Sequence, residues 1–183
     1  MTKALLVMDV QVGIVARIAQ PQNLLNNIKA TIEAARKKSI PIIYVTVQFR
    51  KGFPEISANN KSFSVIKSNS GFDTTEQTAI HSTVAPSAND IHIIKRRVSA
   101  FTGSDLEVVL RGQNINHLVL CGIATSGVVL STLREAADKD YTLTVLEDCC
   151  ADSDEEVHSV LTKKIFSRQA EVLKHTEWIE TLK

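Results

Sequence analysis

This chain of 183 residues has few cysteines, only short apolar runs and almost no net charge, and each of these features excludes some classes of protein. Its three cysteines form neither a disulfide framework nor the spacing of a metal site. The net charge is +1 and the longest basic runs have three residues, so we predict no nucleic acid or membrane partner. The N-terminal apolar run, residues 4–8, is too short to span a bilayer, and Asp9 interrupts it, which argues against a signal peptide. We expect a cytoplasmic protein.

Nucleotide-binding motifs are also absent. The sequence holds neither the G-x-G-x-x-G pattern of dinucleotide-binding folds nor a phosphate-binding P-loop, so we predict no cofactor. The composition, with 44% hydrophobic and 22% charged residues, is typical of a globular protein. The length favours one domain over residues 1–183.

Apolar residues alternate along the chain between short continuous runs and helical spacing. The short runs predict strands at residues 4–8, 41–47, 90–94, 118–121, 141–146 and 170–173. Helical spacing predicts helices at residues 21–38, 104–111, 126–138, 154–166 and 176–182. Because strands that alternate with helices form parallel sheets with right-handed crossovers, we predict a three-layer, Rossmann-like α/β fold with helices on both faces of the sheet.

The stretch from residue 117 to residue 138 contains one predicted strand, the turn that follows it and the next predicted helix. Small and hydroxylated residues from Gly122 to Gly127 separate its strand from its helix. Such a turn places the N-terminus of the helix at the carboxyl edge of the sheet, where open α/β sheets bind their ligands. An ordinary connection without chemistry is the alternative from this stretch alone.

Other polar groups leave strands at the same edge. Asp9 and Gln11 follow the first strand, Lys95 follows the third, and residues 147–152 follow the fifth. Because the carboxyl ends of parallel strands share one edge, we predict that the Asp9 and Lys95 side chains lie within a few ångströms of each other. The alternatives are a polar loop start for Asp9 and a solvated charge for Lys95.

The polar segment 48–80 is too long for a plain connection in a compact domain. Glycine, proline and asparagine are scattered along it, Gly52, Pro54 and Gly71 among them. We interpret it as a loop that forms a lid or contacts another subunit.

Three blocks of sequence carry a resemblance to a known family. They are Leu-Leu-Val-Met-Asp-Val-Gln, which contains Asp9, then Lys-Arg-Arg-Val-Ser-Ala-Phe from Lys95, and Gly-Ile-Ala-Thr-Ser-Gly-Val-Val-Leu-Ser-Thr from Gly122. In this order and spacing, and over nearly the whole chain, they resemble the isochorismatase-like cysteine hydrolases, which include nicotinamidases and related amidases. The resemblance implies the fold predicted above, a small-molecule substrate and a homo-oligomer.

In that family an Asp, a Lys and a Cys form the catalytic triad, and the resemblance assigns the first two to Asp9 and Lys95. The position of the Cys, six residues after the first Gly of the third block, is Val128 in this chain. A helix N-terminus and a nearby ammonium group lower the pKa of a thiol, and backbone N–H groups hold the oxyanion of an acyl transfer. The valine side chain has no group that can act as a nucleophile.

The resemblance also predicts the surroundings of the site. It implies a cis peptide bond between Ile123 and Ala124, and the predicted substrate-binding residues are Gln11, Phe101, Ile123, Ala124 and Thr125. Nicotinamidase-like members bind zinc just after the second strand, but residues 47–50 of this chain offer no such ligands, so we predict no metal.

No other residue is an evident replacement for the missing thiol. Thr125 and Ser126 lie close in sequence, but a hydroxyl nucleophile needs an adjacent base, and none of the five histidines is expected beside them. Cys121 belongs to an apolar run and is expected to be a buried core thiol. Cys149 and Cys150 are expected to end a strand at the ligand edge, but we do not predict either as the nucleophile.

We therefore predict a hydrolase of a small organic molecule that uses Asp9 and Lys95 without the usual Cys. A branch of the family that resembles this chain in lacking the Cys cleaves a vinyl ether with the Asp as a general acid. Such an acid needs desolvation to keep its proton, because the ammonium group of Lys95 lowers its pKa. The alternative is a catalytically silent binding or regulatory protein on the same scaffold.

Overall fold

The computed structural model describes residues 2–68 and 74–182, and these contain a sheet of six parallel strands. The strands are β1 Lys3–Met8, β2 Ile42–Val47, β3 Ile91–Lys95, β4 His117–Ile123, β5 Thr142–Ala151 and β6 Glu171–Leu173. Their order in the sheet is β3-β2-β1-β4-β5-β6. From β1 the chain adds strands toward one edge of the sheet, as far as β3, and from β4 onward it adds them toward the other edge. The carboxyl ends of β1 and β4 therefore flank the crevice where such sheets bind ligands.

Helices cover both faces of the sheet, which confirms the predicted three-layer fold. They are α1 Val12–Val15, α2 Gln22–Lys37, α3 Lys61–Ser68, α4 Thr75–Thr78, α5 Leu106–Gly112, α6 Leu130–Asp138, α7 Glu155–Val160 and α8 His175–Glu180. A π-helical segment, Thr125–Val129, precedes α6. Among the described residues, no helix has the length and apolar character needed to cross a membrane.

Side chains of β1 alternate between two cores, one on each face of the sheet. Leu5 and Val7 belong to the core under α2 and α8, whereas Leu6 and Met8 belong to the core under α5 and α6. The inward face predicted for α2 is buried as expected, at Leu24, Leu25, Ile28, Ile32 and Ala35. Each large apolar side chain buried in this way contributes about 1.5–3 kcal/mol, so the cores hold the central strand ends in fixed positions.

The segment 48–80 is not the continuous loop that the sequence predicted, because it contains α3 and α4. Phe63 of α3 packs into a small separate core with Val47, Phe53 and Ile56. These apolar residues are too widely spaced to be recognised as a core from the sequence, but they meet in space because the segment folds back onto the end of β2. Gly71 lies outside the described residues, and the role of the segment as a lid or subunit contact stays a prediction.

Strands β4 and β5 extend beyond their predicted ends at residues 121 and 146. The register of β4 against β5 shifts near Gly122, and this irregularity lets pairing resume beyond the acidic residues that interrupt the apolar run of β5. As a result, Cys149 and Cys150 lie inside β5 rather than after it, buried in cores on opposite faces of the sheet.

Candidate active site

A cavity of about 250 Å³ lies at the carboxyl edge of the sheet, where four neighbouring strands end. Asp9 follows β1, Val47 ends β2, Lys95 ends β3 and Ile123 ends β4. The rest of its described lining is mostly apolar and includes Ile14, Ile18, Phe63, Ile66 and Val98. A concave site with apolar walls and a few converging polar groups is typical of small-molecule binding.

Asp9 and Lys95 form a buried ion pair in this cavity, so the two strand ends do bring these side chains together. Lys95 Nζ lies 2.8 Å from Asp9 Oδ2, and the two side chains are only 2% and 7% exposed. Lys95 Nζ also donates a hydrogen bond to the carbonyl oxygen of Arg97, at 3.0 Å. The other carboxylate oxygen, Asp9 Oδ1, is buried and has no hydrogen-bond partner among the described residues.

Burial and the contact with Lys95 act in opposite directions on the Asp9 carboxyl group. Burial raises the pKa of Asp9 above its ordinary value, although the ammonium group of Lys95 and, more weakly, the Val47 backbone act in the opposite direction. The Asp9 backbone is held in the left-handed region, with φ of 54°, and its N–H donates to the Val45 carbonyl oxygen at 2.8 Å. A fixed carboxyl group that keeps its proton more readily than usual is suited to general acid catalysis.

The chain turns sharply between β4 and α6, beside this pair. The peptide bond between Ile123 and Ala124 is cis, as the resemblance implied, and both residues line the cavity. Gly122 has φ of 143°, and a Cβ at this position would lie 2.1 Å from the Met8 carbonyl oxygen, so glycine is required there. Gly127 departs from helical φ and ψ within the π-helical segment, and regular α6 therefore begins later than the predicted start at residue 126.

Val128 lines the cavity next to this turn and is 2% exposed. No cysteine belongs to the described lining, because Cys121, Cys149 and Cys150 are all buried elsewhere in the sheet. Burial raises the pKa of each of these thiols, that of Cys150 to about 12. A thiol that stays protonated inside a core is a poor nucleophile.

The hydroxyl groups of Thr125 and Ser126 have partners that the sequence did not reveal. Thr125 Oγ1 lies 2.8 Å from Nδ1 of His158 on α7, so the expectation that no histidine lies beside these hydroxyls was wrong. Asp152 Oδ2 accepts hydrogen bonds from the N–H and Oγ of Ser126, at 2.8 and 2.6 Å. The error arose because α7 packs against the turn from 33 residues further along the chain. Neither hydroxyl residue is among the described cavity lining.

The structure does not bring Gln11 or Phe101 to the cavity. Gln11 is fully buried, and its Nε2 donates to the carbonyl oxygens of Val47 and Thr78, at 3.1 and 2.7 Å. Its Oε1 accepts from the Val47 N–H at 2.9 Å, so this side chain ties the end of β2 to α4. Phe101 packs in a core against Tyr141, with ring centroids 5.8 Å apart.

One group of potential metal ligands occurs elsewhere in the described part of the chain. The ligand atoms of Asp148, Cys149 and His175 lie within 4.8 Å of one another. They already have partners, since the His175 N–H donates to Asp148 Oδ1 at 2.8 Å and His175 Nδ1 lies 2.7 Å from Asp148 Oδ2. None of the three lines the cavity, and the absence of a metal from the site stays a prediction.

Several residues that line the cavity were not predicted from the sequence. Ile14, Arg17 and Ile18 come from α1 and the turn after it, and Phe63 and Ile66 come from α3. Helix α1 has four residues and α3 has eight, so neither produces a long periodic pattern. One signal was available in the sequence. Ile14 and Ile18 are four residues apart, and Phe63 and Ile66 are three apart, which places both members of each pair on one side of a helical turn.

Fold and cavity together define an α/β protein with a candidate small-molecule site at the carboxyl ends of its strands. The isochorismatase domain matches residues 3–177, and the chain belongs to the isochorismatase family. The family assignment agrees with the buried Asp9–Lys95 pair and with the cis bond after β4.

Individual relatives support this membership. The chain is 30% identical over 180 residues to the uncharacterized isochorismatase family protein YwoC of Bacillus subtilis (strain 168), covering 98% of this chain and 94% of YwoC. It is 32% identical over 146 residues to the ureidoacrylate amidohydrolase RutB of Rhizobium rhizogenes, covering 72% of this chain and 58% of RutB. Two other curated relatives are matched over 50% and 46% of their own length, and a RutB of Caulobacter vibrioides is matched over 29%. The structure of an isochorismatase family protein from Burkholderia thailandensis has a TM-score of 0.85 at 25% identity, covering 99% of this chain and 95% of that one.

Proposed function

We propose that the protein hydrolyses a small organic molecule in the cavity beside Asp9 and Lys95, with Asp9 as a general acid and without a cysteine nucleophile. The observation that carries this proposal is the buried Oδ1 of Asp9, which lacks a hydrogen-bond partner among the described residues. A buried polar atom without a partner costs about 1–3 kcal/mol. Such an atom at the wall of a cavity is accounted for when a bound substrate supplies the missing partner.

The two carboxyl oxygens have separate roles in this reaction. Lys95 binds Oδ2 and orients the carboxyl group, which leaves Oδ1 to contact the substrate. Because burial raises the pKa of Asp9, the group can hold a proton and donate it to the leaving nitrogen of an amide or to the terminal carbon of a vinyl ether. Water adds to the carbonyl carbon of the amide or to the oxygen-bearing carbon of the protonated vinyl ether, and the C–N or C–O bond of the adduct then breaks. One proton of the water returns to the Asp9 carboxylate, and in the vinyl ether the other leaves with the alcohol, so the cycle is closed.

The position of Val128 supports a route without a covalent intermediate. Its side chain touches the cavity where the resemblance implies the family's thiol, and an aliphatic group cannot attack a substrate. The cysteines of the chain are buried with raised pKa values, so none of them is a suitable substitute.

Two kinds of bond are candidates for cleavage. RutB is by name an amidohydrolase, which supports a carbon–nitrogen bond of a small molecule. The resemblance to the branch that lacks the Cys supports a vinyl ether instead. The amide needs a proton on its leaving nitrogen and the vinyl ether a proton on the terminal carbon of its double bond, and supplying this proton is the role proposed for Asp9.

A panel of small amides and vinyl ethers, assayed on the purified protein, tests the proposal. We expect Asp9→Asn to lower the rate by about 10²–10⁴-fold, because that is the usual contribution of a general acid. Asp138→Asn, the same change at an exposed position of α6, serves as the matched control and should leave the rate unchanged. Iodoacetamide should also leave the activity of the natural chain intact. Full activity of Asp9→Asn, or loss of activity on alkylation, would contradict the proposal, and no turnover across the panel would favour a silent binding protein.

The thiol route can be examined separately by restoring the thiol. Val128→Cys should react with iodoacetamide in the folded protein and gain amidase activity, because its sulfur would lie at the cavity beside Lys95. Val129→Cys is the control, since Val129 is fully buried in a core. Equal labelling of the two variants, measured by mass spectrometry, would show that position 128 is not a nucleophile position.

A further inference from the structure

We propose that the protein binds one zinc ion outside the cavity, between the end of β5 and the start of α8, through Asp148, Cys149 and His175. One ligand atom from each of these side chains lies within 4.8 Å of those of the other two. None of the three residues lines the described cavity, so the proposal goes beyond the proposed function and does not depend on it.

An irregularity of β5 brings two of the ligands together. Neighbouring residues of a regular strand point to opposite faces of the sheet, so Asp148 and Cys149 would normally be separated. Between two consecutive pairs of the β4–β5 register, however, β4 has Cys121 alone and β5 has residues 146–149. A bulge of this kind re-aims the side chains within it. The Asp148 carboxylate and the Cys149 thiol therefore converge on the side of the sheet that α2 and α8 cover.

His175 reaches the same place as the first residue of α8, 27 residues beyond Asp148. Its N–H donates to Asp148 Oδ1 at 2.8 Å, and its Nδ1 lies 2.7 Å from Asp148 Oδ2. The backbone contact fixes the carboxylate through Oδ1 and leaves Oδ2 available to the ion. When zinc binds, the contact between Oδ2 and the imidazole gives way to one bond from each group to the metal.

The three ligand types select zinc among the common divalent cations. Thiolate, imidazole and carboxylate are all zinc ligands, whereas calcium and magnesium bind oxygen atoms. Burial raises the pKa of the free Cys149 thiol, but a coordinated thiol gives up its proton, which leaves to solvent. One thiolate and one carboxylate then balance the two charges of the ion, and a neutral imidazole completes the set.

The site is open on one side and supported on the other. The side chains of His175 and Asp148 are 17% and 26% exposed, so water can occupy the fourth position of a tetrahedral ion although Cys149 is fully buried. From α2, Asn27 Nδ2 donates to the Asp148 carbonyl oxygen at 2.9 Å, and Thr31 Oγ1 lies 3.4 Å from Cys149 Sγ. Partners of this kind orient metal ligands. The ion would tie α8 to β5 and stabilise this part of the fold.

Calorimetric titration of the reduced protein with zinc chloride tests the proposal. We expect the natural chain to bind one zinc ion, and Cys149→Ser and His175→Gln each to bind it about 10²-fold more weakly, because loss of even an outer partner of a metal site costs about 10–100-fold. Cys150→Ser is the matched control, since this neighbouring thiol is buried in the opposite core, and it should bind zinc as the natural chain does.

Cobalt(II) and heat provide two further measurements. Cobalt should give a thiolate-to-metal charge-transfer absorption in the natural chain and in Cys150→Ser but not in Cys149→Ser. Zinc should raise the midpoint of thermal unfolding of the natural chain, because it binds the folded state, and it should raise that of His175→Gln less. His175 is partly exposed, so His175→Gln keeps the test valid even when Cys149→Ser fails to fold.

Three results would overturn the proposal. One is the absence of zinc binding to the natural chain, and another is equal affinity in the natural chain and the folded ligand variants, which would place the ion on unrelated surface groups. The third is a cobalt absorption that disappears in Cys150→Ser and persists in Cys149→Ser. None of these measurements needs turnover, so failure of the zinc site and failure of the proposed hydrolysis are distinguishable.

Discussion

Two clusters of acidic and basic side chains, at different places in the molecule, show what burial does to a carboxyl group. In the cavity, Lys95 Nζ lies 2.8 Å from Asp9 Oδ2. On the surface, Glu107 contacts Arg111 at 2.6 Å and Lys139 at 2.7 Å. The contacts are similar in length, but burial raises the pKa of Asp9, whereas hydrogen bonds from the two cations lower the pKa of Glu107. Contact with a cation therefore does not by itself set the direction of the pKa shift of a carboxyl group, because the loss of surrounding water can outweigh it.

Removal of the cation from each cluster should have the largest effect on stability. We expect Lys95→Met to lower the free energy of unfolding by about 3–5 kcal/mol, because Asp9 Oδ2 and the Arg97 carbonyl oxygen would both lose their hydrogen-bond donor. Lys139→Met should leave the unfolding free energy unchanged within error, since Glu107 is partly exposed and keeps Arg111. Urea denaturation measures both variants. A small loss in Lys95→Met would show that water reaches Asp9, and the contrast between the clusters would fail.

Buried and exposed amides extend the same comparison to uncharged groups. Gln11→Ala should cost about 3 kcal/mol, because it leaves buried backbone groups of Val47 and the carbonyl of Thr78 without their partner. Gln22→Ala removes an exposed amide whose Nε2 contacts Asn26, and it should change the unfolding free energy by about 0.5 kcal/mol or less. Thermal and urea denaturation of the two variants under one buffer provide the measurement. Equal effects would contradict the assignment of Gln11 as the link between β2 and α4.

The smallest expected effects are two opposite dependences of the free energy of unfolding on pH, one from Asp9 and one from Glu107. Because folding raises the pKa of Asp9 above its ordinary 3.8, its contribution to stability is present below that value and is lost as the pH rises through the raised pKa. Because folding lowers the pKa of Glu107 below its ordinary 4.5, its contribution is present above that value and is lost as the pH falls through the lowered pKa.

The stability of the natural chain should thus fall relative to Asp9→Asn as the pH rises above about 4, the ordinary pKa of an aspartate. Relative to Glu107→Gln, the natural chain should instead lose stability as the pH falls below about 4. Denaturation midpoints across a pH series measure both pH dependences, and added salt should weaken only the one that arises from Glu107. Slopes of the same sign would show that Asp9 is not desolvated.

The sequence was sufficient for the features that depend on local pattern. The continuous apolar runs identified each strand of the described sheet, and the spacing of Leu25, Ile28 and Ile32 identified the buried face of α2. Asp9 and Lys95 could be placed together because the carboxyl ends of parallel strands share an edge, whichever helices connect them. Homo-oligomerisation and a cytoplasmic location stay predictions.

The failures share a physical cause, which is contact between distant segments. His158 lies beside Thr125 because α7 packs against the turn, and no spacing within either segment indicates it. Phe63 joins a small core only because segment 48–80 folds back onto β2. Arg17 lines the cavity from the turn after α1, and this helix of four residues is too short to show a period.

For this protein the sequence by itself determined which chemical groups stand at the strand ends and, through its motifs, which family the chain belongs to. Only the tertiary structure determined how far those groups are shielded from solvent. The side chains around Asp9 come from α1, α3 and the ends of separate strands, and their combined exclusion of solvent sets the direction of its pKa. Local pattern depends on neighbours a few residues away, whereas desolvation depends on every atom that packs around a group, and this is why Asp9 could be located from the sequence but the direction of its pKa shift could not.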